Sequence, residues 1–280
     1  MSSNAGRRAV FLDEMGVGPL WTRRDAHVAG VEDAAASTET NSPGTDAMGD
    51  LPRIASTTAM PATVNMDDLP WTDVQLDGPP KAPPAPEVAQ MNWIQLKASV
   101  AGCVKCDLCQ GRTHTVFGVG DEKAKWLFIG EGPGRNEDLQ GEPFVGQAGK
   151  LLDNMLRAMG LQRGQNAYIA NIVKCRPTDA IGKDRPPTAQ ETEACLPYLE
   201  RQIALIQPTM LVALGKTAAL TLLGLDPDTP VSRLRGKVHR YADRPLIVTY
   251  HPAYLLRNMP DKRKAWEDLS LAMQTYAGAD

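Results

Sequence analysis

The sequence predicts an α/β fold with a mainly parallel sheet, and two observations support this. Short, almost wholly apolar runs lie at 126–129, 168–173, 210–214 and 246–249, which is typical of parallel strands buried on both faces. Helical patterns separate these runs, as expected for a layered α/β sheet. Ligands of such sheets bind at the carboxyl ends of the strands, so the residues after each run are the first site candidates.

The helices are predicted from apolar periodicity and from their end signals. The patterns lie at 91–104, 147–159, 188–206 and 216–223, and a last one begins after Pro260. Thr188 and Glu191 form a capping box at the start of the third pattern. Gly224 follows the fourth, where glycine commonly ends a helix.

Charge and composition divide the chain near residue 90. Residues 1–92 hold six Lys and Arg against thirteen Asp and Glu, a net of −7, whereas the rest of the chain carries +4. Residues 26–90 are rich in Ala, Pro, Thr, Ser and Asp, so they bury too little apolar surface to offset the entropy cost of ordering. We therefore predict a disordered acidic tail over 1–90 and a folded, mildly basic domain over 91–280.

The tail contains one apolar island between basic pairs, at 7–24 (RRAVFLDEMGVGPLWTRR). We interpret it either as a docking motif for a protein partner or as a weakly structured part of the tail. Asp13 and Glu14 interrupt its apolar run, which argues against an export signal. No stretch approaches the roughly 18 consecutive apolar residues of a membrane span, so we expect no membrane association and a cytoplasmic location.

Three polar residues follow successive predicted strands. Glu131 comes after WLFIG, Asn171 lies at the end of the next run, and His251 follows LIVTY, with Pro252 restricting the next turn. Each has an ordinary structural explanation, such as a strand-end cap for Asn171 or simple packing for His251. Because the carboxyl ends of parallel strands meet at one edge, we expect the three side chains to converge on one site.

The glycine-rich loop after the first strand (EGPGRNEDLQGEPFVG) resembles a phosphate-binding turn only superficially. The Lys-Ser/Thr pair of a P-loop is absent, and four acidic residues crowd the loop: Glu131, Glu137, Asp138 and Glu142. Acids repel phosphate, so this loop is a better candidate for a catalytic site than for nucleotide binding.

Five cysteines, at 103, 106, 109, 175 and 195, indicate metal or redox chemistry in a chain without an export signal. The C-x-x-C pair of Cys103 and Cys106 suits one edge of a tetrahedral metal or cluster site, and Cys109 could extend the set. With thiolate ligands alone, zinc and an iron–sulfur cluster both stay open.

Three motifs together, GEGPGRNEDLQGEPFVG, NIVKCRP and TYHPAYLLR, resemble the family 4 uracil-DNA glycosylases. The resemblance runs from about Asn92 to the end of the chain, and residues 1–90 have no counterpart in it. It implies a three-layer α/β/α sandwich with a short central parallel sheet. It also implies a 4Fe–4S cluster, whose ligands would be Cys103, Cys106, Cys175 and Cys195, with Cys109 left over.

The resemblance further implies roles for residues at the strand ends. Glu131 would stabilise the sugar cation or polarise water, and His251 would lie near the carbonyl O2 of the base. Asn171 would recognise the uracil edge. The remaining implied pocket residues are Gly132, Glu137 and Phe144, the last of which would stack on the extruded base.

DNA contacts are expected from the last motif and from the start of the last helix. Leu255, Leu256 and Arg257 would enter or line the groove near the vacated stack. The basic residues Arg257, Lys262, Arg263 and Lys264 are placed to meet phosphates. For the last three, a solvated helix face is an equally good interpretation.

The sequence departs from the family pattern in three places. Gly132 stands where the family more often has alanine, a change that a role through the backbone would survive. The loop between Cys175 and Cys195 is a few residues longer than usual and lacks the KRRIH stretch of a related group that traps uracil covalently, so we expect turnover. Cys109 is a potential competing ligand.

These expectations combine into a DNA-repair glycosylase. The enzyme would flip a deoxyuridine out of single- or double-stranded DNA, hydrolyse the N-glycosidic bond and leave an abasic site, acting as a monomer. Two other hypotheses stay open at this point: a non-catalytic, metal-stabilised DNA-binding module on the same fold, and a redox sensor in which the cluster is the functional group.

Overall fold

The computed structural model describes residues 87–278. The predicted tail, with its island at 7–24, lies outside the described residues apart from its last four positions. Every helix of the described part is too short or too polar to span a bilayer.

A six-stranded sheet forms the centre of the described part. Its strands are β1 (Val119–Gly120), β2 (Trp126–Gly130), β3 (Ala167–Asn171), β4 (Met210–Leu214), β5 (Val238–Tyr241) and β6 (Arg244–Thr249). Their order across the sheet is β1-β3-β2-β4-β6-β5. The four inner strands are parallel, and the two outer strands pair antiparallel with their neighbours.

Nine α-helices accompany the sheet in the described residues. They are α1 (Trp93–Ala101), α2 (Leu108–Gly111), α3 (Arg135–Gln140), α4 (Gln147–Ala158), α5 (Ala189–Ile206), α6 (Lys216–Leu223), α7 (Val231–Leu234), α8 (Pro252–Arg257) and α9 (Lys262–Ala277). Two 3-10 turns, Val88–Gln90 and Met259–Asp261, complete the regular structure of these residues.

Side chains alternate between the two faces of the sheet, and each face packs against its own helices. On β2, Leu127 and Ile129 join a core with α1, α5 and α6, whereas Trp126 and Phe128 join a second core with α4, α8 and α9. Each core therefore lies between the sheet and one layer of helices. The fold is the predicted three-layer α/β/α sandwich.

The predicted elements agree closely with the observed ones. The four apolar runs form β2, β3, β4 and β6, and Thr188 caps α5 through the predicted box with Glu191. The outer strands β1 and β5 were not predicted, because they are short and only partly buried. The short helices α3 and α8 were also not predicted, since each spans six residues and carries too little periodicity to detect.

Candidate active site

The carboxyl ends of the parallel strands surround an open cavity of about 640 Å³, here called the strand-end cavity. Glu131 follows the last residue of β2, Asn171 is the last residue of β3, and His251 follows β6 and Tyr250. All three line this cavity. The structure thus brings together the three polar groups that the strand ends led us to expect.

Asn171 presents an unsatisfied acceptor to this site. The residue is 2% exposed, and its Oδ1 is buried without a hydrogen-bond partner in the described part of the chain. Burying an unpaired amide oxygen costs about 1–3 kcal/mol. A buried acceptor at a cavity wall is therefore explained best by a donor that a ligand supplies.

Gly130 makes room for this amide. A Cβ atom on Gly130 would lie 2.5 Å from the Asn171 Oδ1 and 2.7 Å from the Phe144 ring. Both separations are well inside van der Waals contact, so a larger residue at the end of β2 would displace two walls of the strand-end cavity.

Phe144 supplies an aromatic wall. Its ring lies 5.5 Å from the His251 ring, with 30° between the two planes. The backbone of Phe144 is in the left-handed region, at a φ of 55°. This conformation costs a non-glycine residue about 1–2 kcal/mol, so the surroundings must hold it.

His251 is a neutral imidazole with a defined tautomer. It caps α8, and its Nδ1 accepts a hydrogen bond from the Ala253 N–H at 3.1 Å. Burial lowers the pKa of His251 to about 4, and the positive charge of Arg257 acts in the same direction, against Glu137. Because Nδ1 is an acceptor, the ring proton resides on Nε2, which is left as a hydrogen-bond donor.

Glu131 is held by a residue that the sequence argument did not find. The Thr217 hydroxyl, in the first turn of α6, donates a hydrogen bond to the Glu131 Oε2. One carboxylate oxygen is thereby oriented, and Oε1 is left for a ligand or a water.

Gly215, just before α6, approaches His251 closely. It has a φ of 96°, and a Cβ there would lie 2.9 Å from the His251 Cβ.

Glu137 lines the strand-end cavity, but backbone groups occupy its carboxylate. Its Oε1 accepts from the Val145 N–H at 3.0 Å and the Gly146 N–H at 3.1 Å, and its Oε2 accepts from the Gly134 N–H at 3.2 Å. The side chain therefore ties the turn before α3 to the segment after Phe144. This network makes Glu137 an organiser of the cavity wall.

Gly132 is also part of the wall. A Cβ atom on Gly132 would lie 2.8 Å from the Val173 Cγ2 and 3.4 Å from the Pro177 ring. Alanine at this position would need Val173 to shift. Val173 and Pro177 both belong to the shared motif NIVKCRP, so they do not explain why glycine stands here in place of alanine.

A second opening, here called the groove, adjoins the strand-end cavity and measures about 980 Å³. Its cationic lining residues are Arg185, Lys216 and Arg257, of which Lys216 and Arg257 are exposed. Arg185 is already paired with Glu191 through two hydrogen bonds of 2.8 and 2.6 Å. Lys216 and Arg257 are thus the cations most available to an anionic ligand.

Burial argues against two of the expected DNA contacts. Leu255 is fully buried in the core beneath α8, because the leucine pair presents one residue inward and the other outward. Leu256, at 42% exposure, is the leucine available for contact. Lys262 is only 3% exposed, so its ammonium cannot approach phosphate without a rearrangement.

The neighbours of Lys262 already have partners on their own helix. Arg263 pairs with Glu267 at 3.3 Å, and Lys264 pairs with Asp261 at 2.8 Å. For this helix start, the interpretation as a solvated face fits better than that of a phosphate site.

All five cysteines line one cavity of about 340 Å³, here called the cysteine cavity. Cys103 and Cys106 precede α2, Cys109 lies on α2, Cys175 follows β3, and Cys195 lies on α5. In residues 87–278 no group of three or more His, Cys, Asp or Glu side chains is arranged to hold a metal ion. The thiols nevertheless border one common space, and Cys109 borders it as well.

Cys175 and Cys195 are buried, and the other three cysteines are partly buried. Burial raises the pKa of Cys195 to about 11 and also raises that of the Cys106 and Cys175 thiols. Arg112 donates to the Cys175 Sγ at 3.4 Å, and the Lys174 N–H donates to the Cys195 Sγ at 3.3 Å. Buried thiols become thiolates when a metal compensates their charge, so this chemistry fits a bound metal group.

Lys174 lines the cysteine cavity and bonds to the backbone of Asn171, which lines the strand-end cavity. Its ammonium is buried and donates to the Asn171 carbonyl at 2.9 Å and to the Gln202 Oε1 at 2.6 Å. Burial lowers the pKa of Lys174 to about 8. The segment from Asn171 to Cys175 is thus fixed both by this lysine and by the cysteine cavity.

Comparison with known proteins agrees with this geometry. The model of the uracil DNA glycosylase superfamily matches residues 117–270. A type-4 uracil-DNA glycosylase from Archaeoglobus fulgidus is 46% identical over 174 residues, which is 60% of this chain and 84% of the relative.

Two further type-4 uracil-DNA glycosylases are similarly related. The one from Sulfurisphaera tokodaii is 43% identical, over 62% of this chain and 80% of the relative. The one from Thermotoga maritima is 40% identical, over 62% of this chain and 88% of the relative. The family model and these relatives agree with the sandwich fold, and the chain belongs to the type-4 branch of the uracil-DNA glycosylase superfamily.

Proposed function

We propose that this chain is a uracil-DNA glycosylase that hydrolyses the N-glycosidic bond of deoxyuridine in DNA, releasing uracil and leaving an abasic site. The observation that carries the proposal is the buried, unpaired Oδ1 of Asn171 at the wall of the strand-end cavity. A base inside a helix cannot reach such an atom, so the deoxyuridine must first leave the stack, at a cost of a few kcal/mol.

Base selection rests on the Asn171 amide. Its Oδ1 would accept a hydrogen bond from uracil N3–H, and its Nδ2 would donate to O4. Cytosine offers an acceptor at N3 and a donor at its exocyclic amine, so both contacts would be lost and buried polar groups would stay unpaired. Phe144 would stack on the face of the base.

Leaving-group stabilisation rests on His251. Bond cleavage places negative charge on uracil O2, and the Nε2–H of the neutral imidazole would donate to that oxygen. Such a donor, oriented in advance and shielded from water, stabilises developing charge at little reorganisation cost. The Ala253 N–H holds the ring in the required tautomer.

Water delivery and stabilisation of the sugar cation rest on Glu131. The Thr217 hydroxyl orients one of its oxygens, and the other would face the sugar carbon. A carboxylate there favours the cation electrostatically and accepts a proton from the attacking water. Lys216 and Arg257, in the groove, would meet the phosphates on either side of the flipped nucleotide.

A 4Fe–4S cluster is the cofactor that we propose for the cysteine cavity, with Cys103, Cys106, Cys175 and Cys195 as its ligands; the family membership and the grouping of these thiols around one space support it. When bound it would supply a structural cross-link between α5, the residues before α2 and the end of β3. Cys175 lies four residues after Asn171. The cluster would therefore anchor the strand end that carries the base-recognition amide.

Excision assays test the proposal directly. Labelled oligonucleotides with one deoxyuridine, as single strands and as U·G and U·A duplexes, should yield alkali-labile abasic sites, whereas cytosine and thymine controls should stay intact. Metal analysis of the same preparation should find about four irons per chain. A metal-loaded protein that binds DNA without excising uracil would instead support the non-catalytic module.

The redox-sensor hypothesis is separated by the same reaction. Excision that is equally fast before and after oxidation of the cluster would assign the cofactor a structural role. A cytoplasmic location, a monomeric state and a partner for residues 7–24 stay predictions.

A further inference from the structure

The proposed chemistry does not explain how Phe144 is held in place. Its backbone is left-handed, yet its ring must hold a fixed place 5.5 Å from His251. Neighbouring groups must therefore fix the peptide units on both sides of this residue. The contacts of Arg163 and Glu137 do so.

Arg163 holds the carbonyl side of this segment. Its Nη1 donates to the Pro143 carbonyl at 2.8 Å, and its Nη2 donates to the Phe144 carbonyl at 2.8 Å. Salt bridges to Glu142 at 3.2 Å and Asp153 at 3.0 Å orient the guanidinium. The planar fork of arginine suits two parallel acceptors, which the single ammonium of lysine cannot reproduce.

Glu137 holds the amide side of the same segment. Its Oε1 accepts from the next two backbone groups, the Val145 and Gly146 N–H. Gly149 then leaves space for the Phe144 carbonyl, since a Cβ atom there would lie 1.7 Å from that oxygen. One cation and one anion thus hold three consecutive peptide groups, 143–144, 144–145 and 145–146, around a single strained residue.

We propose that Arg163 is a positioning residue for base recognition, which acts through Phe144 and together with Glu137. This inference rests on the proposed function, because it assigns the Phe144 ring to stacking on the flipped uracil. Arg163 does not line the strand-end cavity. Its effect on catalysis must pass through the backbone that it holds.

A double-mutant cycle tests this route. Arg163→Met, Phe144→Ala and the double variant are compared by kcat/KM on single-stranded deoxyuridine substrate and by inhibition with free uracil. Arg163→Met should lower kcat/KM by about 10- to 100-fold and weaken uracil inhibition, because small displacements of a positioned group have effects of this size. In the Phe144→Ala background the same change should have no further effect.

Two variants control for charge and for stability. Arg163→Lys keeps a charge near Glu142 and Asp153 but loses the fork, so it should behave like Arg163→Met. Arg201→Met removes another arginine that donates to a backbone carbonyl, that of Met91, outside the strand-end cavity. It should leave kcat/KM unchanged, and Tm values identify any loss that unfolding explains.

The outcomes are distinct. Additive effects of Arg163→Met and Phe144→Ala, or full activity of Arg163→Lys, would overturn the positioning role. A wild-type protein that is loaded with metal and excises no uracil would overturn the proposed function itself.

Discussion

The strand-end cavity and the cysteine cavity lie on either side of the same five-residue segment, 171–175, but they are completed in different ways. The first is organised by the protein's own hydrogen bonds: His251 by the Ala253 N–H, Glu131 by Thr217, and Glu137 by three backbone N–H groups. The second consists of buried and partly buried thiols, and burial raises the pKa of Cys106, Cys175 and Cys195. The strand-end cavity is therefore organised before its ligand binds. We expect the cysteine cavity to be stable only when a metal group is bound.

This difference predicts that changes in the strand-end cavity alter rate, while changes in the cysteine cavity alter stability.

The His251→Ala variant should show the largest loss of rate. Removing one donor to a developing oxyanion lowers kcat by about 10²–10³-fold. Iron content should stay at the wild-type value, and Tm should fall by only a few degrees, because the lost cap of α8 costs about 1 kcal/mol. His239→Ala is the matched control, because that ring bonds only to the Leu234 carbonyl in the described part of the chain. Undiminished excision by His251→Ala would remove this residue from the mechanism.

The Cys195→Ser variant should lower stability and leave the rate of the iron-loaded protein almost unchanged. Iron content should fall, and Tm should drop by about 10 °C, because a metal-site ligand contributes several kcal/mol and each kcal/mol shifts a domain of this size by about 2–4 °C. The residual iron-loaded fraction should excise uracil at close to the wild-type rate.

Cys109→Ser provides the comparison within the same cavity. With the proposed ligand set, it should retain iron and Tm. If Cys109→Ser loses iron while Cys195→Ser keeps it, the assignment of the fourth ligand is wrong.

The Thr217→Val variant should cause a smaller loss of rate than His251→Ala. A hydrogen bond to a charged acceptor contributes about 1.5–3 kcal/mol, which corresponds to roughly 10- to 150-fold in kcat. Thr217→Ser keeps the hydroxyl and should restore most of the activity. Equal activity of the valine and serine variants would show that Glu131 needs no such partner.

A further effect is a pH dependence of stability that originates at His251. The folded imidazole has a pKa of about 4, whereas an unfolded histidine has a pKa of about 6.5. Between these values the unfolded chain binds more protons, so stability falls as pH falls from 6.5 towards 4, by up to about 1.4 kcal/mol per pH unit. Above pH 6.5 this contribution does not change.

Urea unfolding of the wild type and of His251→Gln over this pH range measures the effect. The glutamine variant cannot titrate and should lose less stability on acidification. Parallel curves for the two proteins would mean that the imidazole is accessible to protons in the folded state.

The fold was predictable because its inner strands are buried on both faces. Runs such as WLFIG therefore stand out as apolar, and helices with clear end signals, such as α5 behind Thr188, are equally visible. The outer strands β1 and β5 expose part of their surface and carry no such signal. Their pairing depends on contacts across the chain, which local patterns do not record.

The main polar residues of the strand-end cavity were predictable from the sequence, whereas the arrangement of the residues around them was predictable only in part. Glu131, Asn171 and His251 followed from the rule that ligands bind at strand ends. The same rule applied to β4 would have led to GKT and thus to Thr217. By contrast, Leu255 was assigned to DNA from its motif and Lys262 from its charge, although their burial is decided by the way α8 and α9 pack. Arg163 carried no local signal, because its acceptors are backbone carbonyls about twenty residues away in the chain.

Gly130 shows how a residue without a side chain can be as restricted as any catalytic group. The volume that its Cβ would fill is already shared by the Asn171 amide and the Phe144 ring. Most buried strand positions accept alanine, since the sheet itself tolerates a methyl group. In a library of random substitutions, Gly130 should therefore be as intolerant as Asn171, and the intolerance would reflect selection for uracil excision more than for folding.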